Sequence, residues 1–93
     1  MVFFIVFFIS DEILILKTYV ETSTYRLRVM RSMEGTPKTP TNIAKDSKIR
    51  INHISNTLKQ LKSKGLVECI NENMRKGRLY RLTDTGKLVY GYL

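Results

Sequence analysis

TPTNIAKDSKIRINHISNTLKQLKSKGLVECINENMRKGRLYRL, residues 39–82, is the stretch that decides the fold. Thr39 is a good helix N-cap, and Pro40 suits the first turn behind it, where its missing N–H costs nothing. Ile43 and Ala44 face inward from this short helix. Asp46-Ser47-Lys48 has turn chemistry and sets up a bend before a second helix, Arg50 to Lys64. In that helix Ile51, Ile54, Leu58 and Leu61 follow i, i+3, i+7, i+10 and form one apolar stripe. Gly65 stops it. Leu66-Val67-Glu68-Cys69-Ile70 reads as a strand and Met74-Arg75-Lys76-Gly77-Arg78 as a basic hairpin tip, with a turn at Lys76-Gly77 where glycine can take positive φ. Leu79-Tyr80-Arg81-Leu82 is the return strand. The order is helix, turn, helix, basic hairpin.

The second helix carries the chemistry. At about 100° per residue, the side opposite its apolar stripe presents Asn52, His53, Asn56, Lys59, Gln60 and Ser63. No acid lies anywhere on the helix. A merely solvated helix usually mixes in Glu for i,i+4 pairs, and this one does not. Asn and Gln can bond bidentately to adenine and Arg to guanine, whereas a carboxylate there would face phosphates. The face therefore reads as a surface for double-stranded DNA, against the blander alternative of a solvated side. His53 fits a polar base or phosphate contact, with no support for a pH-sensing role. Arg75, Lys76 and Arg78 cluster at the hairpin tip, where they can reach the minor groove or the flanking backbone, the bland alternative being a solubilising loop. The fold class is mainly α with a small β-hairpin (α+β), a winged helix-turn-helix.

Charge agrees. The 93 residues carry a net +8, and residues 1–22 contribute one Lys against three acids, so the positive excess lies entirely beyond them. Arg50 to Arg81 alone holds eight Lys or Arg against Glu68 and Glu72. Such a domain seeks a polyanion and owes much of its affinity to released counterions. Membrane-surface and ribosomal proteins are also basic, so the helix order is what favours DNA. The length suits one three-helix core and no second ligand-binding domain. One cysteine, Cys69, excludes an internal disulfide and fits a reducing, cytoplasmic interior; in an apolar strand it reads as a small buried hydrophobe. One Cys and one His cannot build a four-ligand zinc site, and neither a phosphate loop nor a nucleophile–base–acid set is present. The expectation is a protein with no enzymatic activity, metal or cofactor.

Upstream, Ser23 can cap a helix over Thr24 to Met33, whose Tyr25, Val29 and Met33 recur every fourth residue, with Leu27 and Met30 widening the apolar face. Arg26, Arg28 and Arg31 lie between them, their stems able to lie along the surface. Gly35 and Pro37 end this helix, and Lys38-Thr39 fits a very short strand. Ser10 with Asp11 and Glu12 resembles a cap and acidic first turn, opening a short buried helix through Ile13-Leu14-Ile15-Leu16 and Tyr19-Val20, with a strand as the alternative because the run has no clean period. At the other end Thr83 and Asp84 open a helix whose Leu88, Val89, Tyr92 and Leu93 either close the core or seat against a second subunit.

Residues 1–9, MVFFIVFFI, stand apart from the domain expected over residues 10–93. The run is too short for a membrane span, which needs about 20 apolar residues. It lacks the basic start and the cleavage site of a secretory signal. A packing or dimer segment, a membrane attachment and an extension preceding the true start all remain open.

The run Ile51 to Leu61 with Gly65-Leu66-Val67 resembles the V-S-x-x-L-x-x-L-x-x-x-G-L-V stretch of small winged-helix transcriptional regulators of the ArsR and MarR type. Tyr25-Arg26-Leu27-Arg28-Val29-Met30 resembles the R-L-x-I-L start of the ArsR-type helix. Gly77-Arg78-Leu79-Tyr80-Arg81-Leu82-Thr83 with Gly86 is similar to the G-R-x-x-x-L-T-x-x-G wing exit. The match covers about residues 23 to 90. It implies a homodimeric, sequence-specific DNA-binding regulator with Arg50, Asn52, His53, Asn56 and Thr57 near bases in the major groove. Thr39, Thr41, Lys59 and Gln60 would then meet the DNA backbone, and Arg75, Lys76 and Arg78 of the wing the backbone or minor groove. The Cys and His sets of metal-sensing members are missing. So are the long terminal helices with which MarR-type members dimerise and form an effector pocket, and no small-molecule effector is evident. The rival reading is a winged helix used as a protein-interaction module of a larger transcription assembly, with no DNA site of its own.

Overall fold

The computed structural model describes residues 10–93, and the readings of residues 1–9 fall outside that range. Among the described residues five helices and one hairpin follow in chain order: α1 (Asp11–Glu21), α2 (Thr24–Ser32), α3 (Pro40–Ser47), α4 (Ile51–Ser63), β1 (Val67–Cys69), β2 (Tyr80–Leu82) and α5 (Asp84–Tyr90). Four helices start where a short side-chain oxygen accepts a backbone N–H of the first turn. The pairs are Ser10 with Ile13, Ser23 with Arg26, Thr39 with Asn42 and Thr83 with Gly86. Each such cap satisfies a donor that has no partner within its own helix.

The segment between α3 and α4 is tighter than its sequence suggests. Asp46 and Ser47 remain helical, and the chain turns at Lys48, which takes the left-handed conformation (φ 58°) without being glycine. At the far end of α4, the Gly65 N–H bonds Lys62 O (3.0 Å) and the Leu66 N–H bonds Leu61 O (3.0 Å). That paired closure needs the positive φ of Gly65 (71°) and aims the chain directly into β1. β1 and β2 pair antiparallel in the register Val67↔Leu82, Glu68↔Arg81, Cys69↔Tyr80. Val67 and Leu82 point into the core, while Glu68 and Arg81 pair outside it at 2.9 Å. The expected strand at Lys38 is a single bridge, exchanging both backbone hydrogen bonds with Tyr80.

The core lies where α2, α3, α4 and the hairpin meet, around Met30, Ile43, Ile54, Leu61 and Leu66. α5 returns over the hairpin and packs on α1. Gly86 makes this closure possible: a Cβ there would fall 2.0 Å from Leu66 O. Cys69 is half-buried, its thiol 3.5 Å from Asn71 Oδ1.

Four apolar positions, on three helices, depart from expectation. The helix alternative for residues 11–21 is the one formed, yet of this helix only Val20 is fully buried, and Ile15 stays 67 % exposed beside Leu14. Tyr25 is exposed rather than in the core stripe of α2. Ile51 is 54 % exposed, because the buried side of α4 consists of Ile54, Thr57, Leu58 and Leu61. Relative to the expected stripe the helix is rolled by about 30°, so Ile51 falls at its edge.

Candidate nucleic-acid interface

The roll of α4 decides which side chains reach solvent. Asn52, Ser55, Asn56, Lys59 and Ser63 are exposed on the side turned away from the core. Hydrogen bonds from α4 side chains to other described residues involve Thr57, Gln60, Lys62 and Ser63. Asn52, Asn56 and Lys59 therefore present unused donors and acceptors. No acid occurs within the helix.

The start of α4 is also open. Arg50 occupies its N-cap position, makes no side-chain cap, and no acidic residue lies in the first turn. The His53 N–H bonds Arg50 O (2.9 Å), while the positive end of the helix dipole and the Ile51 and Asn52 N–H groups find no acceptor among the described residues, a setting to which a phosphate is well suited. Arg50 itself is exposed there.

Beside α4 the hairpin makes the other wall of a cleft of about 480 Å³. Ile51, Ser55, Lys59 and Lys62 line it from the helix, and Arg78 and Tyr80 from the hairpin side. Ser55 and Lys62 were not among the expected site residues. Their spacing with Ile51 and Lys59 (i, i+4, i+8, i+11) places all four on one edge of the helix, a signal present in the sequence once the roll is known. Lys62 also pairs with Glu72 at the base of the hairpin. The hydrogen bond and charge of Lys62 hold the Glu72 carboxyl below the usual carboxylate range, and Glu72 raises Lys62 in return.

The remaining expected residues divide. His53 is exposed on the flank nearest α2, its ring 5.3 Å from that of Tyr25 and tilted by 44°. Thr57 does not face outward: it is 3 % exposed and its hydroxyl donates to His53 O at 2.9 Å, so the core and its own helix already satisfy it. Gln60 is half-buried, and its Oε1 accepts from Arg26 Nη1 at 3.1 Å, which turns it away from the open face. Thr39 uses its hydroxyl to cap Asn42 (3.2 Å), while Thr41 is exposed in the first turn of α3. In the hairpin, Arg75 and Lys76 are exposed and make no side-chain hydrogen bond to other described residues. Arg78 folds back, donating Nε to Met74 O (2.7 Å) and Nη2 to Glu72 O (3.0 Å), so it braces the loop that carries the other two. Gly77 provides the turn with φ 70°.

A family model described as "Sugar-specific transcriptional regulator TrmB" matches residues 18–86. The chain belongs to the TrmB family. A search of curated protein sequences found no match. This TrmB-family domain shares its fold with solved winged-helix regulators of both types that its sequence resembles. A MarR family transcriptional regulator from Silicibacter pomeroyi is 23 % identical, with a TM-score of 0.67 over 83 % of this chain and 53 % of that one. The homodimeric winged helix-turn-helix DNA-binding domain from Mycobacterium bovis, a possible ArsR-family regulator, is 22 % identical, with a TM-score of 0.66 over 90 % of this chain and 83 % of that one. Streptococcus pneumoniae FabT, solved in complex with DNA, is 18 % identical, with a TM-score of 0.63 over 86 % and 62 %. The chain spans about half the length of the Silicibacter pomeroyi regulator and of the transcriptional regulator SlyA, another structure that it matches. Among the described residues, no helix is long and apolar enough to cross a membrane, and no group of His, Cys, Asp and Glu could hold a metal ion.

Proposed function

We propose that this domain is a sequence-specific, double-stranded DNA-binding regulator of transcription, acting in the cytoplasm by binding and not by catalysis. α4 enters the major groove, with Asn52, Asn56, Arg50 and His53 toward base edges. Lys59 and Thr41 meet the backbone, as does the open N-terminus of α4. Arg75 and Lys76 at the hairpin tip grip the flanking backbone or the minor groove, held in place by Arg78. The observation that carries this reading is the exposed, carboxylate-free side of α4, whose Asn52 and Asn56 amides and Lys59 cation have no side-chain partner among the described residues, lying beside a hairpin tip with two more cations unpaired among those residues. A stable surface helix gains from internal ion pairs, so this composition needs an outside partner rich in acceptors and negative charge. Membership of a transcriptional-regulator family and a fold shared with a DNA-bound protein support it.

A homodimer is part of the same reading. Leu14 and Ile15 on α1, Leu88 on α5 and Tyr92 just beyond it remain exposed, and the two helices pack together. The structurally similar domain from Mycobacterium bovis is homodimeric. Two copies would place α4 helices into half-sites roughly 34–36 Å apart.

Selection from random duplexes, followed by sequencing, tests the proposal. A recurring motif with two-fold symmetry is expected. Enrichment of no sequence, with binding only to an acidic protein partner, would instead favour a protein-interaction module.

A further inference from the structure

Two arginines of α2 reach toward α4 from opposite ends. Arg28 donates through Nη2 to Ser47 O (2.5 Å) and Lys48 O (2.8 Å), the carbonyls of the turn that launches α4. Arg26 donates Nε to Tyr19 O (2.8 Å), Nη2 to Thr22 Oγ1 (3.3 Å) and Nη1 to Gln60 Oε1 (3.1 Å), in the second half of α4. Its guanidinium also lies 3.9 Å from the centre of the Tyr19 ring. Tyr19 O belongs to the last turn of α1, where carbonyls lack helical partners. One planar group therefore ties the end of α1 and the loop after it to the helix with the open polar face.

A guanidinium suits this task because its donors leave in fixed directions, so each acceptor's position constrains the others; an ammonium imposes no such geometry. Gln60 lies two turns beyond Asn52, roughly 12 Å along the helix axis at 1.5 Å per residue. A small tilt at Gln60 thus displaces Asn52 and Asn56 together. Bidentate base contacts do not tolerate such displacement, whereas attraction to phosphates does.

We propose that Arg26, acting through Gln60, is a positioning residue that sets the angle of α4 for reading DNA, with Arg28 fixing the turn at its start. The inference rests on the assignment of α4 as the DNA-reading helix. Neither Arg26 nor Gln60 touches DNA in this arrangement. Their loss changes discrimination between sequences and leaves general affinity alone.

The test uses the full chain, a selected duplex and a scrambled duplex of equal length, titrated over a series of salt concentrations. Arg26→Lys keeps the charge and removes the fork; Gln60→Ala removes only the acceptor. Each is expected to lower the preference for the selected duplex roughly ten-fold, with affinity for the scrambled duplex and the salt slope unchanged. The double variant is expected to be no worse than either single one, because both break the same link. Equal weakening on both duplexes with a salt slope shallower by about one would make the residue a phosphate contact and overturn the proposal. A double variant as poor as the two losses multiplied would overturn it as well. If Arg26→Lys fails to fold, Gln60→Ala carries the same readout. Variants with full preference overturn positioning alone, whereas a wild-type chain with no preference among duplexes overturns the reading of α4 itself and this proposal with it.

Discussion

α1 and α4 are the longest helices described, 11 and 13 residues, and they are built on opposite plans. α1 has a serine cap, two acids in its first turn and an internal Lys17–Glu21 pair at 2.8 Å. α4 has no side-chain N-cap, no acid and no ion pair within itself; its one cation paired among the described residues, Lys62, reaches to the hairpin. The devices that steady a helix at its start, and the internal ion pair, are present in the first and missing from the second, which keeps its closure at Gly65 and a basic last turn. α4 forms nonetheless because Ile54, Leu58 and Leu61 are buried. Local rules broken in an element that tertiary packing holds firmly are the pattern expected of a functional surface.

That contrast can be broken at its strongest point. Leu61→Ala, at a position with no exposure, is expected to cost about 2–5 kcal/mol in denaturant unfolding. A loss under about 0.5 kcal/mol, the scale of surface substitutions, would mean that burial does not hold α4. On the opposite side of the helix, Asn56→Ala is expected to leave the melting temperature unchanged and to cost about 1–3 kcal/mol of discrimination between the selected site and a variant site. Equal weakening on both sites would contradict base reading by this residue.

The two N-termini give a sharper, smaller effect. Ser10→Ala should destabilise by about 1 kcal/mol and leave DNA affinity untouched, since it removes a cap from α1. Arg50→Ser should do the reverse, steadying α4 by about 1 kcal/mol with a new cap while weakening DNA binding. An Arg50→Ser protein with undiminished affinity would show that the open start of α4 has no role. The smallest effect concerns the exposed Lys62–Glu72 pair. Because Glu72 is held low in the folded state, its contribution is present above the ordinary carboxylate range and fades as pH falls through the depressed value. Lys62 is raised, so its share is present below the ordinary lysine value and fades as pH rises through the raised one. A carboxyl titration by NMR should find Glu72 below the range of unfolded glutamate, and Lys62→Ala should bring it back.

Much of this was legible because the signals are short-range. Caps at Ser10, Ser23 and Thr39, the helix start at Thr83, the stop at Gly65, the turn at Gly77, and the spacing of Ile54, Leu58 and Leu61 each depend on neighbours within one or two helical turns. The roll of α4 does not: Thr57 rather than Ile51 lies on the side that seats against α2 and α3, and no local pattern encodes that. Thr57 hides in the core because its hydroxyl finds a carbonyl in its own helix, so a polar residue type misled. Arg26 reaches an acceptor 34 residues away, and Arg28 acceptors 19 and 20 away. An alternating arginine pattern resembles a solvated face until those partners are in place.

The most direct measurement is an NMR titration of the isotope-labelled chain with the selected duplex and with a scrambled one. The side-chain amide signals of Asn52 and Asn56 are expected to move strongly with the selected duplex and weakly with the scrambled one, while Leu14 and Ile15 of α1 stay still. Equal shifts with both duplexes, or shifts centred on α1 with α4 unmoved, would contradict the assignment of the acid-free helix as the one that reads DNA.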